Sequence, residues 1–296
     1  MGERMLRVAL VQHACTPDRH ANLAATISGM ETASAEGAQL VLLQELHTSV
    51  YFCQREDEAH FALAEPVPGE TTTTLGQLAA RLGIVIVASL FEQRAAGLYH
   101  NTAVVIDADG SIAGRYRKMH IPDDPGYHEK YYFTPGDLGF SAITSSLGRL
   151  GVLVCWDQWY PEAARLMALD GADILLYPTA IGWDPAAAES TRAAELDAWL
   201  TIHRAHAISN CLPVMACNRI GFEAAQQDAG DGIDFWGNSC IIGAQGELLA
   251  RAGSDAPATL VADFDLSRTV QLRTTWPFFR DRRIDAYADL LKRYRN

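Results

Sequence analysis

Three residues stand out by chemical type and by place. Glu45 closes the apolar run AQLVLLQE (38–45), Lys118 closes SIAGRYRK (111–118), and Cys155 closes RLGVLVC (149–155). A thiol that attacks a carbonyl needs a base to take its proton and a cation or N–H donor to hold the developing oxyanion. Each residue also has a plainer use. An acidic residue after a strand caps a turn, a lysine there is solvated or paired, and a cysteine in an apolar run packs. It is the set that points to nucleophilic catalysis, because strand ends are where sheets present side chains to ligands. After Cys155 the chain continues WDQWYPEAAR, a turn feeding a helix that starts at Pro161. N–H groups there are expected to favour a thiolate and to donate to an oxyanion. The logic is that of a nucleophile elbow, although G-x-S-x-G itself is absent.

The elements that must position these residues are legible as short β-branched runs bounded by turn residues. Besides the three above, strands are expected at 6–12, 83–91, 102–110, 172–179, 212–221, 238–246 and 259–265. Helical patterns occupy 20–36, 71–82, 161–170, 189–210 and 285–294. DADG before SIAGRYRK and GAQG before ELLARA predict hairpins. The mixture is α/β, with antiparallel pairs inside mainly buried sheets. With no composition break, linker or internal repeat, one domain is expected over the 296 residues.

The formal net charge is −12, with no Lys/Arg-rich block, which argues against nucleic acid as a partner. The apolar run before His13 is too short for a signal peptide or a spanning helix, so no membrane association is expected. Six cysteines without C-x-x-C spacing suggest reduced thiols and a cytoplasmic protein. His203 and His206 lie i, i+3 on a helix, but no third ligand is evident and no metal site is expected.

The segments LVLLQEL, GRYRKMHIPDDPGYHEKYYFTPGD and GVLVCWDQWYPEAARLMALDGADILLYPTAIG together resemble the nitrilase superfamily of carbon–nitrogen hydrolases. With CNRIG they are most similar to the branch that hydrolyses N-carbamoylputrescine, and the similarity runs from Val8 to about Leu291. The resemblance implies a four-layer αββα sandwich: one carbon–nitrogen hydrolase domain over 1–296, with a core at about 6–265 and a C-terminal extension at 266–296. It also implies a homo-oligomer, dimer or higher, and no cofactor. It makes Cys155 the nucleophile, Glu45 the general base, Lys118 the stabiliser of the tetrahedral intermediate and the Trp156 N–H a second oxyanion donor. Glu129, in GYHEKYYF, matches a second glutamate that positions Lys118 or substrate. The implied substrate is a small cationic carbamoyl amine, cleaved on the route from agmatine to putrescine. Asp184, before Pro185, matches an acidic residue suited to its ammonium, or else caps the following helix. Tyr51 and Trp183 are read as lining an aliphatic slot or as ordinary packing. Trp183 stands where a small residue is usual, and Ile284 where proline is usual.

Overall fold

The structure, a computed structural model, describes residues 4–225 and 231–295. Period-two alternation divides the strand Met5–Gln12 between two environments. Val8 and Leu10 point into one core with Leu40, Leu42, Val85 and Val87. Ala9 and Val11 point the other way, onto Met30 of the helix Arg19–Ala35 and Leu75 of the helix Glu70–Leu82. A strand apolar on both faces needs a layer on each side, and that requirement generates the architecture.

The first sheet has six strands, in the order Ala258–Asp265, Met5–Gln12, Leu40–Leu43, Val85–Ala95, Leu98–Ile106, Ile112–Arg117. Its three central neighbours, from Met5–Gln12 to Val85–Ala95, run parallel, and the remaining pairings are antiparallel. The second sheet is ordered Leu248–Arg251, Cys240–Ile242, Val214–Cys217, Ile174–Pro178, Gly148–Val152, Ile143–Ser145. Its parallel centre is Gly148–Val152, Ile174–Pro178 and Val214–Cys217. Met167 of the helix Pro161–Leu169 and Trp199 of the helix Glu189–Asn210 pack on it. The result is a four-layer αββα sandwich, with the main core between the sheets. Among the described residues, no helix is long and apolar enough to cross a membrane.

Two differences from the sequence expectation have simple causes. A third, small sheet of Gly182–Trp183, Gly232–Trp236 and Ile220–Ala224 was not foreseen, because its Gly182–Trp183 strand is only two residues long and pairs with a segment about 50 residues away. The expected helix at 285–294 is replaced by short 3₁₀ turns at Ile284–Ala286 and Ala288–Leu291, while an unforeseen helix forms at Ser267–Thr275. Ile284, Leu290 and Leu291 lie in the solvent, so the C-terminal stretch has no packed face to sustain so short a helix.

Candidate active site

The three strand-end residues come from two sheets rather than from one edge. Glu45 follows Leu40–Leu43 and Lys118 follows Ile112–Arg117, both in the first sheet. Cys155 follows Gly148–Val152 in the second. The sheets face each other, and the Glu45 N–H donates to Thr179 O across them at 3.2 Å. The carboxyl ends of both parallel centres therefore open on one end of the sandwich.

The chain leaves the sheet at Leu153, and Cys155 opens the 3₁₀ turn Cys155–Trp159. Its φ is +45°, a left-handed conformation unusual for a residue with a side chain. Asp157 holds this elbow: its carboxylate accepts from Val154 N (2.9 Å), the Tyr116 hydroxyl (2.8 Å), His120 N (3.1 Å) and the His120 ring (2.7 Å). Asp157 thereby ties the nucleophile's turn to the loop that follows Lys118. Gln158 completes the brace. Its side-chain oxygen accepts from Trp199 Nε1 at 2.9 Å and lies 3.2 Å from His203 Nε2, and its carbonyl lies 2.7 Å from His206 Nε2. The two histidines thus support the nucleophile turn.

Lys118 and Glu45 have no solvent exposure, and neither does Glu129. Lys118 Nζ donates to Glu45 Oε1 (2.9 Å) and to both oxygens of Glu129 (2.8 and 2.7 Å). Glu45 Oε1 also accepts from Asn101 Nδ2 at 2.7 Å, whereas Glu45 Oε2 is buried and accepts nothing from the protein. One oxygen of Glu45 is locked and the other is free to take a proton. Burial alone would lower the Lys118 pKa, but Glu129 and Glu45 outweigh it and keep the ammonium charged. Burial pushes the Glu129 carboxyl up against the pull of Lys118.

Burial also pushes the Cys155 thiol well above its ordinary value, and Glu45 raises it further, against the opposing effect of Lys118. The expectation that the neighbouring helix would favour a thiolate is overturned. Desolvation and the Glu45 carboxylate dominate, so the resting nucleophile is a thiol and attack requires a base. Its Sγ points to Ala180 O at 3.6 Å.

A cavity of about 490 Å³ opens on Cys155, with Trp156, Tyr127, Trp236 and Gly182 on its wall. Gly182 is needed there because a Cβ would lie 2.5 Å from Asp234 O. Asp184 lies on the wall and is exposed, and one of its carboxylate oxygens accepts from Ala186 N at 2.8 Å, so it is also a turn cap. The aliphatic-slot reading of Tyr51 and Trp183 does not hold. Tyr51 is buried behind the site and donates its hydroxyl to Glu129 Oε1 at 2.7 Å. Trp183 is turned away from the cavity, packs on Trp236 at 5.5 Å and donates its indole N–H to Arg192 O. The adjacent Gly182 reaches the cavity wall with its backbone.

Arg219, within the CNRIG motif, has a role that residue type alone did not reveal. Fully buried, it donates to Glu45 O (2.6 Å), Leu46 O (3.1 Å) and Ser49 O (3.1 Å), and pairs with Glu223 at 2.9 Å. Leu46 has φ +48°, so the arginine clamps a strained turn that aims the Glu45 side chain. The only sequence signal was an arginine inside the run 212–221, a strand of a mainly buried sheet.

A buried carboxylate–ammonium–carboxylate cluster beside a thiol on a strained elbow defines a thiol-dependent hydrolase on an αββα sandwich. The chain belongs to the Carbon-nitrogen hydrolase family, whose model matches residues 7–274, and it is an amidohydrolase. It is 46% identical over 290 residues to an N-carbamoylputrescine amidase from Solanum lycopersicum, covering 97% of this chain and 95% of that protein. A citrullinase from Francisella tularensis is 40% identical over 98% of this chain and 99% of its own. The crystal structure of a carbon-nitrogen hydrolase from Helicobacter pylori G27 superposes with a TM-score of 0.95 at 51% identity, covering 98% of this chain and all of that one.

Proposed function

We propose that the chain hydrolyses N-carbamoylputrescine to putrescine, CO₂ and ammonia, on the route from agmatine to putrescine. The observation that carries this reading is the make-up of the Cys155 cavity. Its lining includes Asp124, Asp184 and Glu195 and, among the described residues, no lysine or arginine. A substrate with a distal ammonium suits such a wall; N-carbamoyl-β-alanine or an ω-amide acid, each with a distal carboxylate, does not. The relatives of 44–46% identity that carry the N-carbamoylputrescine amidase name support the same choice.

The reaction follows from the positions. Glu45 Oε2 takes the thiol proton, and Cys155 Sγ attacks the ureido carbon. The carbonyl pair moves onto oxygen, where Lys118 and the Trp156 N–H hold it. Collapse breaks one C–N bond, with Glu45 returning the proton to the departing nitrogen, and leaves a thioester-type carbamoyl enzyme. Glu45 then activates water to attack that carbonyl, and sulfur leaves as the thiol. The released carbamic acid loses CO₂, so one water is consumed for each CO₂, ammonia and putrescine formed.

The discriminating measurement is kcat/KM for N-carbamoylputrescine beside N-carbamoyl-β-alanine and citrulline. The first should exceed the second by about 100-fold or more, the scale on which like charge and unpaired polar groups reject a wrong substrate. Faster turnover of the anionic substrate would overturn the assignment.

The same reading has the protein acting in the cytoplasm as a homo-oligomer. All six cysteines are unpaired thiols, which suits a reducing compartment. Val270, Trp276, Ile284, Leu290, Leu291 and Tyr294 are all exposed along the C-terminal segment. A second copy of the chain is the proposed cover. Sedimentation equilibrium should give at least a dimer, and a monomer at micromolar concentration would refute it.

A further inference from the structure

The strand Val85–Ala95 is buried from Val85 to Glu92, and that stretch is apolar except for Ser89 and Glu92. Glu92 is paired with Arg115 and Arg117. The hydroxyl of Ser89 has a different use, and a buried hydroxyl costs stability unless it is bonded. The neighbouring strand Leu40–Leu43 pairs with Val85–Ala95 as far as Leu42 opposite Val87, and then leaves the sheet towards Glu45. There Ser89 takes the place of a backbone partner. Its Oγ accepts from Leu46 N at 3.2 Å, at the residue whose φ is +48°. The same Oγ donates to Asn101 Oδ1 at 3.0 Å. Asn101 lies on the strand Leu98–Ile106, two residues from Ala103, which stands opposite Ser89, so both side chains share a face.

A hydroxyl has one proton, and here it goes to the Asn101 oxygen. The Asn101 amide nitrogen is left facing Glu45, and it donates to Oε1 at 2.7 Å. The main-chain oxygen of Asn101 accepts from Lys118 N at 2.9 Å. A closed circuit results, from Leu46 N–H through Ser89 and Asn101 to the carboxylate of Glu45, the residue before Leu46. Glu45, Ser89 and Asn101 have no solvent exposure, so bulk solvent does not compete for these bonds. We propose that Ser89 is a positioning residue for the hydrolysis. Its one hydroxyl fixes the main chain that follows the base and, through Asn101, the carboxylate itself. Together the two arms keep Oε1 occupied and Oε2 aimed for proton transfer. The inference rests on the reading of Glu45 as the base.

The test is steady-state kinetics on N-carbamoylputrescine with Ser89→Ala, Asn101→Leu and the double variant, each relative to wild type, with Tm recorded alongside. Ser89→Ala should lower kcat about tenfold and Asn101→Leu about 10- to 100-fold, each with KM within about twofold. Misplacing a catalytic group by about 1 Å slows the chemistry without weakening substrate binding. The double variant should stay within about threefold of Asn101→Leu, because both changes release the same carboxylate. A hydroxyl that only satisfied the core would lower Tm and leave the kcat of the folded protein unchanged. That result in Ser89→Ala, or losses that multiply in the double variant, would overturn the proposal. Ser89→Ala removes a single oxygen, so it carries the test by itself if Asn101→Leu does not fold. Glu45→Gln separates the two readings. If it retains more than about a tenth of the wild-type kcat, Glu45 is not the base, and this inference goes with that reading. If it is inactive while Ser89→Ala is unchanged, the inference alone fails.

Discussion

Cys155→Ala is expected to lower hydrolysis by on the order of 10⁵-fold, leaving no carbamoyl adduct. The change removes only the attacking atom. Alanine can take the same backbone path, and Asp157, through its bonds to Val154, Tyr116 and His120, holds the elbow independently of the thiol. The buried cluster of Lys118 with Glu45 and Glu129 does not depend on the sulfur for any of its hydrogen bonds. The folded state should therefore be nearly unaffected, with a loss of about 1 kcal/mol or less. Intact-protein mass spectrometry during turnover should show a carbamoyl adduct on the wild-type chain and none on the variant. Because burial and Glu45 hold the thiol protonated at rest, alkylation by iodoacetamide should be slow for so central a cysteine. Undiminished hydrolysis by the alanine variant would remove Cys155 from the mechanism.

The second large effect is expected from Lys118→Met, and it should appear in stability as well as rate. Three hydrogen bonds disappear, and two fully buried carboxylates lose their shared cation. Breaking one side of a buried ion pair costs about 3–5 kcal/mol, because the remaining charge has no compensation. Loss of an oxyanion donor adds a rate penalty of about 10²–10³. The pH dependence has a definite sign. Without the ammonium, burial and mutual repulsion raise a carboxyl pKa in the folded state above its unfolded value. Such a group favours folding while protonated, and that contribution is lost as pH rises through the folded pKa. The Tm deficit of the variant relative to wild type should thus be smaller at pH 5 than at pH 8. An equal deficit at both would mean that the carboxylates relax into solvent or pair elsewhere.

Much of the site was readable because strand ends are local. The apolar runs before Glu45, Lys118 and Cys155 end within a few residues of where the strands end. What could not be read is how the ends of different strands meet. Tyr51 and Trp183 illustrate this. Both neighbour loops that carry functional residues, yet one supports Glu129 from behind and the other packs on Trp236. The direction of a side chain at the edge of a small sheet depends on which strand pairs with it, and Gly182–Trp183 pairs with Gly232–Trp236. Arg219 and Asp157 were equally opaque. Their partners lie 170 and 37 or more residues away in the chain in the decisive bonds to Ser49 and His120, and residue type says nothing of such distances.

Residue types and their order determined the apolar strands, the burial that demands a layer on each face of a sheet, and the presence of a thiol, a carboxylate and an ammonium at strand ends. These are short-range properties, set by side-chain period and by turn chemistry. The four-layer order came from the family resemblance. Tertiary structure alone decided the protonation of the nucleophile, because that depends on how much water is excluded around Cys155 and how near Glu45 lies. It alone decided which oxygen of Glu45 is free, through the bonds of Asn101 and Lys118 to the other. Electrostatic energies depend on distance and on solvent exclusion, and both are settled only when the two sheets close on each other.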